Sequence, residues 1–213
     1  MTRPRQLIFV TGTATEVGKT FVAAATLAVL REAGLTVSAR KPLQSFVPGA
    51  EPTDGEVLAI ATGESPDQVS APEYSYELPL APPMAAARLQ RIIPTIAELA
   101  AHIEWPVDTA VGLVEGVGGP RSPLASDGDS VDLIHTLQPD RVVIVSGAGL
   151  GAINAVRSTI DALGEWEPIT VVLNRYDEND ELHQENYRWL VNLGIDIVLS
   201  PGELAKKIIG AAR

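Results

Sequence analysis

Residues 7–21 read Leu7-Ile8-Phe9-Val10-Thr11-Gly12-Thr13-Ala14-Thr15-Glu16-Val17-Gly18-Lys19-Thr20-Phe21. Four apolar residues are followed by a loop bounded by Gly12 and Gly18, and Lys19-Thr20 open a helix-compatible stretch that runs to Arg31. Strand, glycine-bounded loop and helix come in the order a phosphate-binding loop requires. Loop amides and the helix N-terminus converge on anionic oxygens, Lys19 adds a point charge toward the β and γ phosphates, and the Thr20 hydroxyl can ligate Mg²⁺. The spacing is one residue longer than the common G-x-x-x-x-G-K-[ST], because Gly12 lies six positions before Gly18 and Thr13 stands where the glycine is expected. A turn that binds nothing rarely ends in Gly-Lys-Thr between a buried strand and a helix, so the loop predicts a nucleoside triphosphate user.

Outward from this loop, short β-branched runs recur: Leu7 to Val10, Thr36 to Ala39, Val111 to Val114, Val142 to Val145, Thr170 to Leu173 and Ile195 to Leu199. Helix patterns lie at Lys19 to Arg31, Thr53 to Ala61, Thr95 to His102, Val131 to Leu137, Asn154 to Leu163, Glu181 to Leu193 and Gly202 to Ala212. Alternating strands and helices predict an α/β fold with a doubly wound, mostly parallel sheet, and near-continuous apolarity such as Val142-Val143-Ile144-Val145 predicts helices on both faces. The stretch Pro72 to Pro83 reads as a surface connection with little regular structure. At 213 residues the chain suits one domain spanning residues 1–213, with no internal repeat and no second-domain boundary.

Composition narrows the partners. A formal net charge of −11 argues against nucleic acid, whose binding relies on a positive face. The chain has no cysteine, which removes disulfides and thiolate metal sites and agrees with a reducing cytoplasm. Its apolar runs fall short of the roughly 20 residues a membrane span needs. The reading is a soluble cytoplasmic protein acting on small molecules, with neither nucleic acid nor membrane as partner.

In such sheets ligands bind beyond the carboxyl ends of the strands. Glu115, in Val114-Glu115-Gly116-Val117-Gly118-Gly119, ends a buried strand, where a carboxylate can hold Mg²⁺ while the glycines let backbone approach a substrate. Lys41, fixed by Pro42 after the second strand, is either a cation aimed at the binding edge or an exposed solubilising lysine. Asp54 lies in Thr53-Asp54-Gly55-Glu56, where Thr and Asp are also favoured simply because a helix starts.

These residues together resemble the dethiobiotin synthetases of biotin synthesis: Gly-Thr-Ala-Thr-Glu-Val-Gly-Lys-Thr at 12–20, Lys41-Pro42, Asp54, Val114 to Gly119, Gly149-Leu150-Gly151-Ala152-Ile153-Asn154, and Tyr187. The long loop spacing is that family's own, and its fold is of the P-loop NTPase type. The resemblance implies a Mg²⁺-dependent cyclo-ligase with ATP or another nucleoside triphosphate as co-substrate. In this reaction 7,8-diaminononanoate takes up CO₂ as a carbamate, whose oxygen attacks the γ-phosphate, and the second amine then closes the ureido ring. By position, Lys19 and the amides of Glu16, Val17, Gly18 and Thr20 would bind phosphate, with Thr13, Phe21 and Gly118 beside them. Thr20, Asp54 and Glu115 would surround Mg²⁺, and Lys41 with Lys19 would stabilise developing charge. Ser45 would bind the reacting end of the substrate. Asn174, Arg175 and the segment Pro201-Gly202-Glu203 fall where the family holds base and ribose, with base identity left open.

In a homodimer with shared sites, Gly151, Ala152, Ile153 and Asn154 would receive the substrate carboxylate of the neighbouring subunit at a helix N-terminus, and Tyr187 would add a hydroxyl to the same carboxylate, likewise across the dimer. The acidic residue facing Mg²⁺ could also be Glu51 or Glu56 in place of Asp54. The competing class is a nucleotide-switch ATPase of the partitioning or septum-placement type, which carries a lysine five positions before the Gly-Lys-Thr lysine. Here that position is Ala14. A related amide-forming domain of cofactor synthesis is a further alternative.

Overall fold

The computed structural model describes residues 3–49 and 51–211. In chain order the elements are β1 (Gln6–Gly12), α1 (Lys19–Glu32), β2 (Val37–Arg40), β3 (Gln44–Ser45), α2 (Asp54–Thr62), α3 (Pro66–Val69), β4 (Ser75–Tyr76), α4 (Pro82–Arg88) and α5 (Ile96–His102). There follow β5 (Val111–Glu115), α6 (Ser130–Leu137), β6 (Arg141–Gly147), α7 (Ala152–Leu163), β7 (Ile169–Asn174), α8 (Glu181–Asn192), β8 (Ile197–Val198) and α9 (Pro201–Ala211). Six strands form a parallel sheet in the order β2-β5-β1-β6-β7-β8, and β3 pairs with β4 in a separate parallel ribbon. No described helix is long and apolar enough to cross a membrane.

The period of two along each strand sorts side chains between two cores. Leu7 and Phe9 of β1, Val142 and Ile144 of β6, and Val171 and Leu173 of β7 face one core, with Leu99 of α5, Leu133 of α6, Val156 of α7 and Leu190 of α8. Ile8 and Val10, Val143 and Val145, and Val172 face the other, with Val22 and Leu27 of α1, Leu58 of α2 and Leu204 of α9. Each fully buried side chain of this kind contributes about 1.5–3 kcal/mol. The expectation of a doubly wound sheet with helices on both faces therefore holds.

Two expectations differ from the structure. Pro72 to Pro83 is not simply a surface connection: a 3₁₀ turn covers Pro72–Tyr74, β4 pairs Ser75 and Tyr76 with Gln44 and Ser45, and Pro82 begins α4. The cause is Tyr76, whose ring is completely buried and whose hydroxyl donates to the Ile92 carbonyl at 2.8 Å. A proline at the start of a helix also lacks only a donor that the first turn leaves unpaired anyway. The last strand is shorter than Ile195 to Leu199, because β8 is an edge that meets β7 only at Val171↔Ile197 and Val172↔Val198. The last helix was expected to reach residue 212, which lies outside the described residues.

The other edge, β2, positions Lys41. Its outward backbone is covered: the Ala39 amide donates to Glu64 Oε2 at 3.0 Å and the Lys41 amide to the Val69 carbonyl at 2.7 Å. Glu64 also accepts from Ser38 Oγ at 2.6 Å and pairs with Arg40 Nη1 at 2.8 Å, while the Arg40 guanidinium lies 5.1 Å from the Trp105 ring centre. Burial pushes the Glu64 carboxyl up, but its bonds to Ser38, Arg40 and Ala39 outweigh that and hold it below the usual carboxylate range. A depressed carboxyl stabilises the fold above its unfolded pKa, and that contribution is lost as pH falls through the folded value. Glu64→Gln leaves the buried Arg40 without its counter-charge and is expected to cost about 2–4 kcal/mol near neutral pH. Urea unfolding measured down through pH 4 should show a flatter acid limb for the variant than for wild type. Parallel curves would remove Glu64 from the acid response.

Candidate active site

The phosphate loop leaves β1 at Gly12, where an added Cβ would stand 2.8 Å from Val17 Cγ2 and 3.1 Å from the Lys19 side chain. The Thr13 amide donates to the Val145 carbonyl of β6 at 2.9 Å. The loop ends at Gly18, which has a φ of 93° and caps α1 with no side-chain cap bond. The first amides of α1 are therefore left without a side-chain acceptor. Lys19 is buried and Nζ donates to the Ala14 carbonyl at 3.0 Å.

Strand order brings three chain segments to this loop. In the sheet β5 lies between β1 and β2, with Val10 opposite Glu115 and Arg40 opposite Val114. Lys41, one residue beyond β2, places Nζ 2.6 Å from Glu115 Oε1 and 2.9 Å from Asp54 Oδ2. Nζ also donates to the Gly116 carbonyl at 3.1 Å. Thr20 Oγ1 is 2.8 Å from Asp54 Oδ1 and 2.9 Å from Glu115 Oε1. Lys41 is thus no solubilising surface lysine; it is 2% exposed and Glu115 0%.

Helix capping separates Glu56 from Asp54. Thr53 is the N-cap of α2 and forms a capping box with Glu56, whose carboxylate accepts from the Thr53 amide at 2.7 Å. Glu56 is committed there, whereas Asp54, at the first helical position, bonds Thr20 and Lys41. Gln44 supports this placement: its side-chain oxygen accepts from the Gly55 amide at 3.0 Å and its nitrogen donates to Ser75 Oγ at 3.0 Å. No motif marks Gln44, since its role depends on β3 meeting β4.

The four charges are coupled. Burial draws the Lys41 pKa down, but Glu115 and Asp54 outweigh it and raise it, so Lys41 stays an ammonium. Burial pushes the Glu115 carboxyl up against the pull of Lys41. Burial also favours a higher pKa for Asp54, yet Lys41 and Thr20 bring it below its ordinary value. Lys19 is lowered, first by burial and then by the positive charge of Lys41.

A cavity of about 720 Å³ opens over this cluster. Of the residues singled out from the sequence, Glu16, Gly18, Lys19, Thr20, Lys41, Asp54, Ser45, Gly118 and Arg175 line it. Ser45 Oγ donates to the Leu80 carbonyl at 2.6 Å, so the segment Pro79-Leu80-Ala81, unmarked in the sequence, supplies a wall. Thr13 and Asn154 line a neighbouring open groove of about 700 Å³. Phe21 is 61% exposed on α1. Asn174 donates through Nδ2 to the Val17 carbonyl at 2.9 Å. Pro201 and Gly202 begin α9, and Glu203 accepts from the Leu199 amide at 2.8 Å. Gly151, Ala152 and Ile153 start α7, and Tyr187 packs edge-on against Tyr176 at 5.9 Å. None of these last residues lines the 720 Å³ cavity.

A family model described as an AAA domain matches residues 6–200. A protein of Anaeromyxobacter sp. (strain Fw109-5) named ATP-dependent dethiobiotin synthetase is 40% identical over 183 residues, covering 82% of this chain and 78% of the relative. One of the same name from Xanthomonas campestris pv. campestris is 34% identical over 188 residues, covering 85% and 84%. The chain belongs to the dethiobiotin synthetase family. Among solved structures, a plasmid-partition-type protein of Borrelia burgdorferi bound to AMPPNP matches at a TM-score of 0.52 with 14% identity, covering 93% of this chain and 88% of that one. Chloroplast FtsY of Physcomitrella patens matches at 0.50 with 15% identity, covering 92% and 58%. At such identities these two show a shared fold alone. The residue that would mark the partition class is Ala14 here, and its carbonyl receives Lys19.

The dethiobiotin synthetase site can be tested for a divalent cation. Two carboxylates and a hydroxyl are the hard oxygen donors Mg²⁺ takes, and Glu115 Oε2 is buried with no hydrogen-bond partner. In the buried cluster Lys19 and Lys41 are matched by Asp54 and Glu115. The donor set therefore fits Mg²⁺, with Lys41 as its electrostatic rival. Lys41→Met should lower the melting temperature of the ligand-free protein, because two carboxylates then face each other unpaired. Adding Mg²⁺ should raise it by several degrees more than in wild type. Equal Mg²⁺ shifts in both proteins would show that Lys41 and the cation do not share these carboxylates.

Proposed function

We propose that this chain is an ATP-dependent dethiobiotin synthetase that converts 7,8-diaminononanoate and CO₂ to dethiobiotin. The observation that carries this reading is the buried Lys41, paired with Glu115 and Asp54 beside the Lys19-Thr20 phosphate loop, in a chain of this family. In the proposed reaction one amine adds to CO₂, losing a proton, and the carbamate oxygen attacks the γ-phosphorus as ADP leaves. The second amine then attacks the carbonyl carbon of the mixed anhydride, and the C–O bond to phosphate breaks. Carbamate and triphosphate are both anions and repel unless cations lie between them. Lys19, reached through the loop, and Lys41, rising from the cavity floor, supply positive charge from preorganised positions, which is most effective where water is excluded. Thr20, Asp54 and Glu115 would hold Mg²⁺, which supplies further positive charge at the phosphates when bound. Glu16, Val17, Gly18, Thr13, Phe21 and Gly118 belong to the phosphate side of this proposal, and Ser45 to the reacting end of the substrate.

The competing switch-ATPase reading gains nothing specific, since Ala14 stands at its signature position. The decisive experiment incubates the protein with 7,8-diaminononanoate, bicarbonate, Mg²⁺ and each nucleoside triphosphate in turn, with dethiobiotin detected by mass. ATP hydrolysis without dethiobiotin would sink the synthetase reading. Lys41→Ala is expected to slow turnover by about 10² or more with little change in nucleotide affinity. Thr20→Val is expected to shift the Mg²⁺ requirement upward and to be partly rescued by excess Mg²⁺. A loss under threefold for Lys41→Ala at normal nucleotide binding would remove the electrostatic role.

The proposal extends to a cytoplasmic homodimer with shared sites. Its support is that Gly151, Ala152, Ile153, Asn154 and Tyr187 stand outside the cavity of their own chain, while Leu150 in the turn before α7 is 93% exposed. An α7 N-terminus capped only by Gly151 leaves amides for a carboxylate from a neighbouring subunit's substrate. Mixing inactive Lys41→Ala protein with an inactive Tyr187→Ala, Gly151→Asp protein under subunit exchange should restore activity toward about a quarter of wild type, since half the dimers are mixed and each holds one intact site. If the mixture stays inactive although exchange is demonstrated, the site is confined to one chain.

A further inference from the structure

We propose that Asn186 is a positioning residue for the substrate carboxylate, on the shared-site reading above. It shapes the turn before α7 so that backbone amides, and not carbonyls, face the anion. The buried residues of α8 are Asn186 and Leu190, four positions apart and therefore on one inward row. Leu190 belongs to the core, and an apolar residue at 186 would simply continue that row. An asparagine there, 6% exposed, has to be served by polar partners. Its Nδ2 donates to two successive carbonyls of the turn after β6, Ala148 at 2.9 Å and Gly149 at 2.8 Å. Both partners are acceptors, so the two hydrogens of one side-chain amide match them. A carboxylate could serve neither, and a hydroxyl only one.

Two fixed carbonyls orient two amides. Neither of these peptides is cis, and in a trans peptide the carbonyl and the following N–H point in opposite senses. With the Ala148 and Gly149 oxygens held toward α8, the amides of Gly149 and Leu150 point away from it. The Ala152 amide closes the turn onto the same Gly149 carbonyl at 3.1 Å, and Gly151, with a φ of 88°, caps α7 without a side-chain bond. The amides of the first turn of α7 lack intrahelical acceptors, as at any helix start, and extend the same donor surface. Released from Asn186, either plane could rotate and set a carbonyl oxygen against the carboxylate, replacing attraction with repulsion. Tyr187 follows Asn186 directly in α8, so the residue that holds the turn also ties it to the element carrying the hydroxyl assigned to the same carboxylate.

The substrate's own carboxylate separates positioning from packing. Steady-state kinetics would compare 7,8-diaminononanoate with 2,3-diaminooctane, the same vicinal diamine without its carboxylate, on wild type, Asn186→Leu and Asn186→Ser. For Asn186→Leu the expected result is a KM for diaminononanoate raised about tenfold, the size of a lost hydrogen bond. Its kcat and its KM for ATP should stay within about twofold of wild type. As substrate or as competitive inhibitor, 2,3-diaminooctane should be equally effective in wild type and variant. Asn186→Ser, which keeps one donor, should recover part of the loss. An equal loss on both diamines, or a fall in kcat at unchanged KM, would show a packing role and overturn the inference. Melting curves establish that each variant is folded, and if Asn186→Leu is not, the ratio between the two diamines in Asn186→Ser decides. Gly151→Asp, which fills the α7 N-terminus with its own carboxylate, is the control for the underlying reading. If it leaves the KM for diaminononanoate unchanged, the substrate carboxylate does not bind at α7 and the positioning role falls with that reading. If it raises that KM but the Asn186 variants do not, the positioning role alone fails.

Discussion

The arrangement depends on one buried ion pair, Lys41 with Glu115, closed to water on both sides. Removing two charges from water costs several kcal/mol each, and the cost is offset only if geometry is good and the remaining polar atoms are served. Here Lys41 gains Asp54 and the Gly116 carbonyl in addition, and Glu115 gains the Thr20 hydroxyl. These partners come from four parts of the chain, which meet because β5 is inserted between β1 and β2. Strand order thus determines the chemistry: the loop after β1, the carboxylate ending β5 and the lysine after β2 become neighbours at one sheet edge. The proposed site of reaction thus coincides with a buried charge cluster, and its geometry is held by the same contacts that keep those charges tolerable.

Legibility in the sequence followed how local each determinant is. The phosphate loop could be read because strand, glycines, lysine and threonine all lie within residues 7–21. The two-faced sheet could be read because a strand that is apolar at every position must be covered on both sides. Glu115 was visible as a carboxylate at a buried strand end. Asp54 was ambiguous with Glu51 and Glu56, and the sequence could narrow that choice: Thr53 and Glu56 have the spacing of a capping box, which engages Glu56. The cavity wall at Pro79-Leu80-Ala81 was not legible at all. It exists because Tyr76 is drawn into the core and β4 pairs with the distant β3, a tertiary event that proline content conceals. Gln44 was missed for the same reason, and so was the bond from Asn174 to Val17.

An acidic chain that handles a polyanion is no contradiction, because the overall charge of −11 and the local field are different quantities. Counter-ions screen distant surface carboxylates within roughly 10 Å in ordinary salt, whereas buried charges act almost unscreened. Beside the phosphate loop the cations Lys19 and Lys41 are both enclosed. Arg175 adds a third, exposed cation at the cavity wall. Negative charge at the surface keeps other polyanions away without weakening what happens inside.

Asp54 and Glu115 share Lys41 and Thr20 yet differ in freedom. Glu115 is completely buried at the end of a central strand, whereas the Asp54 side chain is 47% exposed at the start of α2 and lines the cavity. Any ligand approaching from the cavity meets Asp54 first, and the ammonium of Lys41 can give up its bond to Asp54 while remaining paired with Glu115. The buried carboxylate therefore fixes where positive charge stays, and the exposed one is the exchangeable partner. That asymmetry would let the site accept additional charge at Asp54 without breaking the ion pair on which the sheet edge depends.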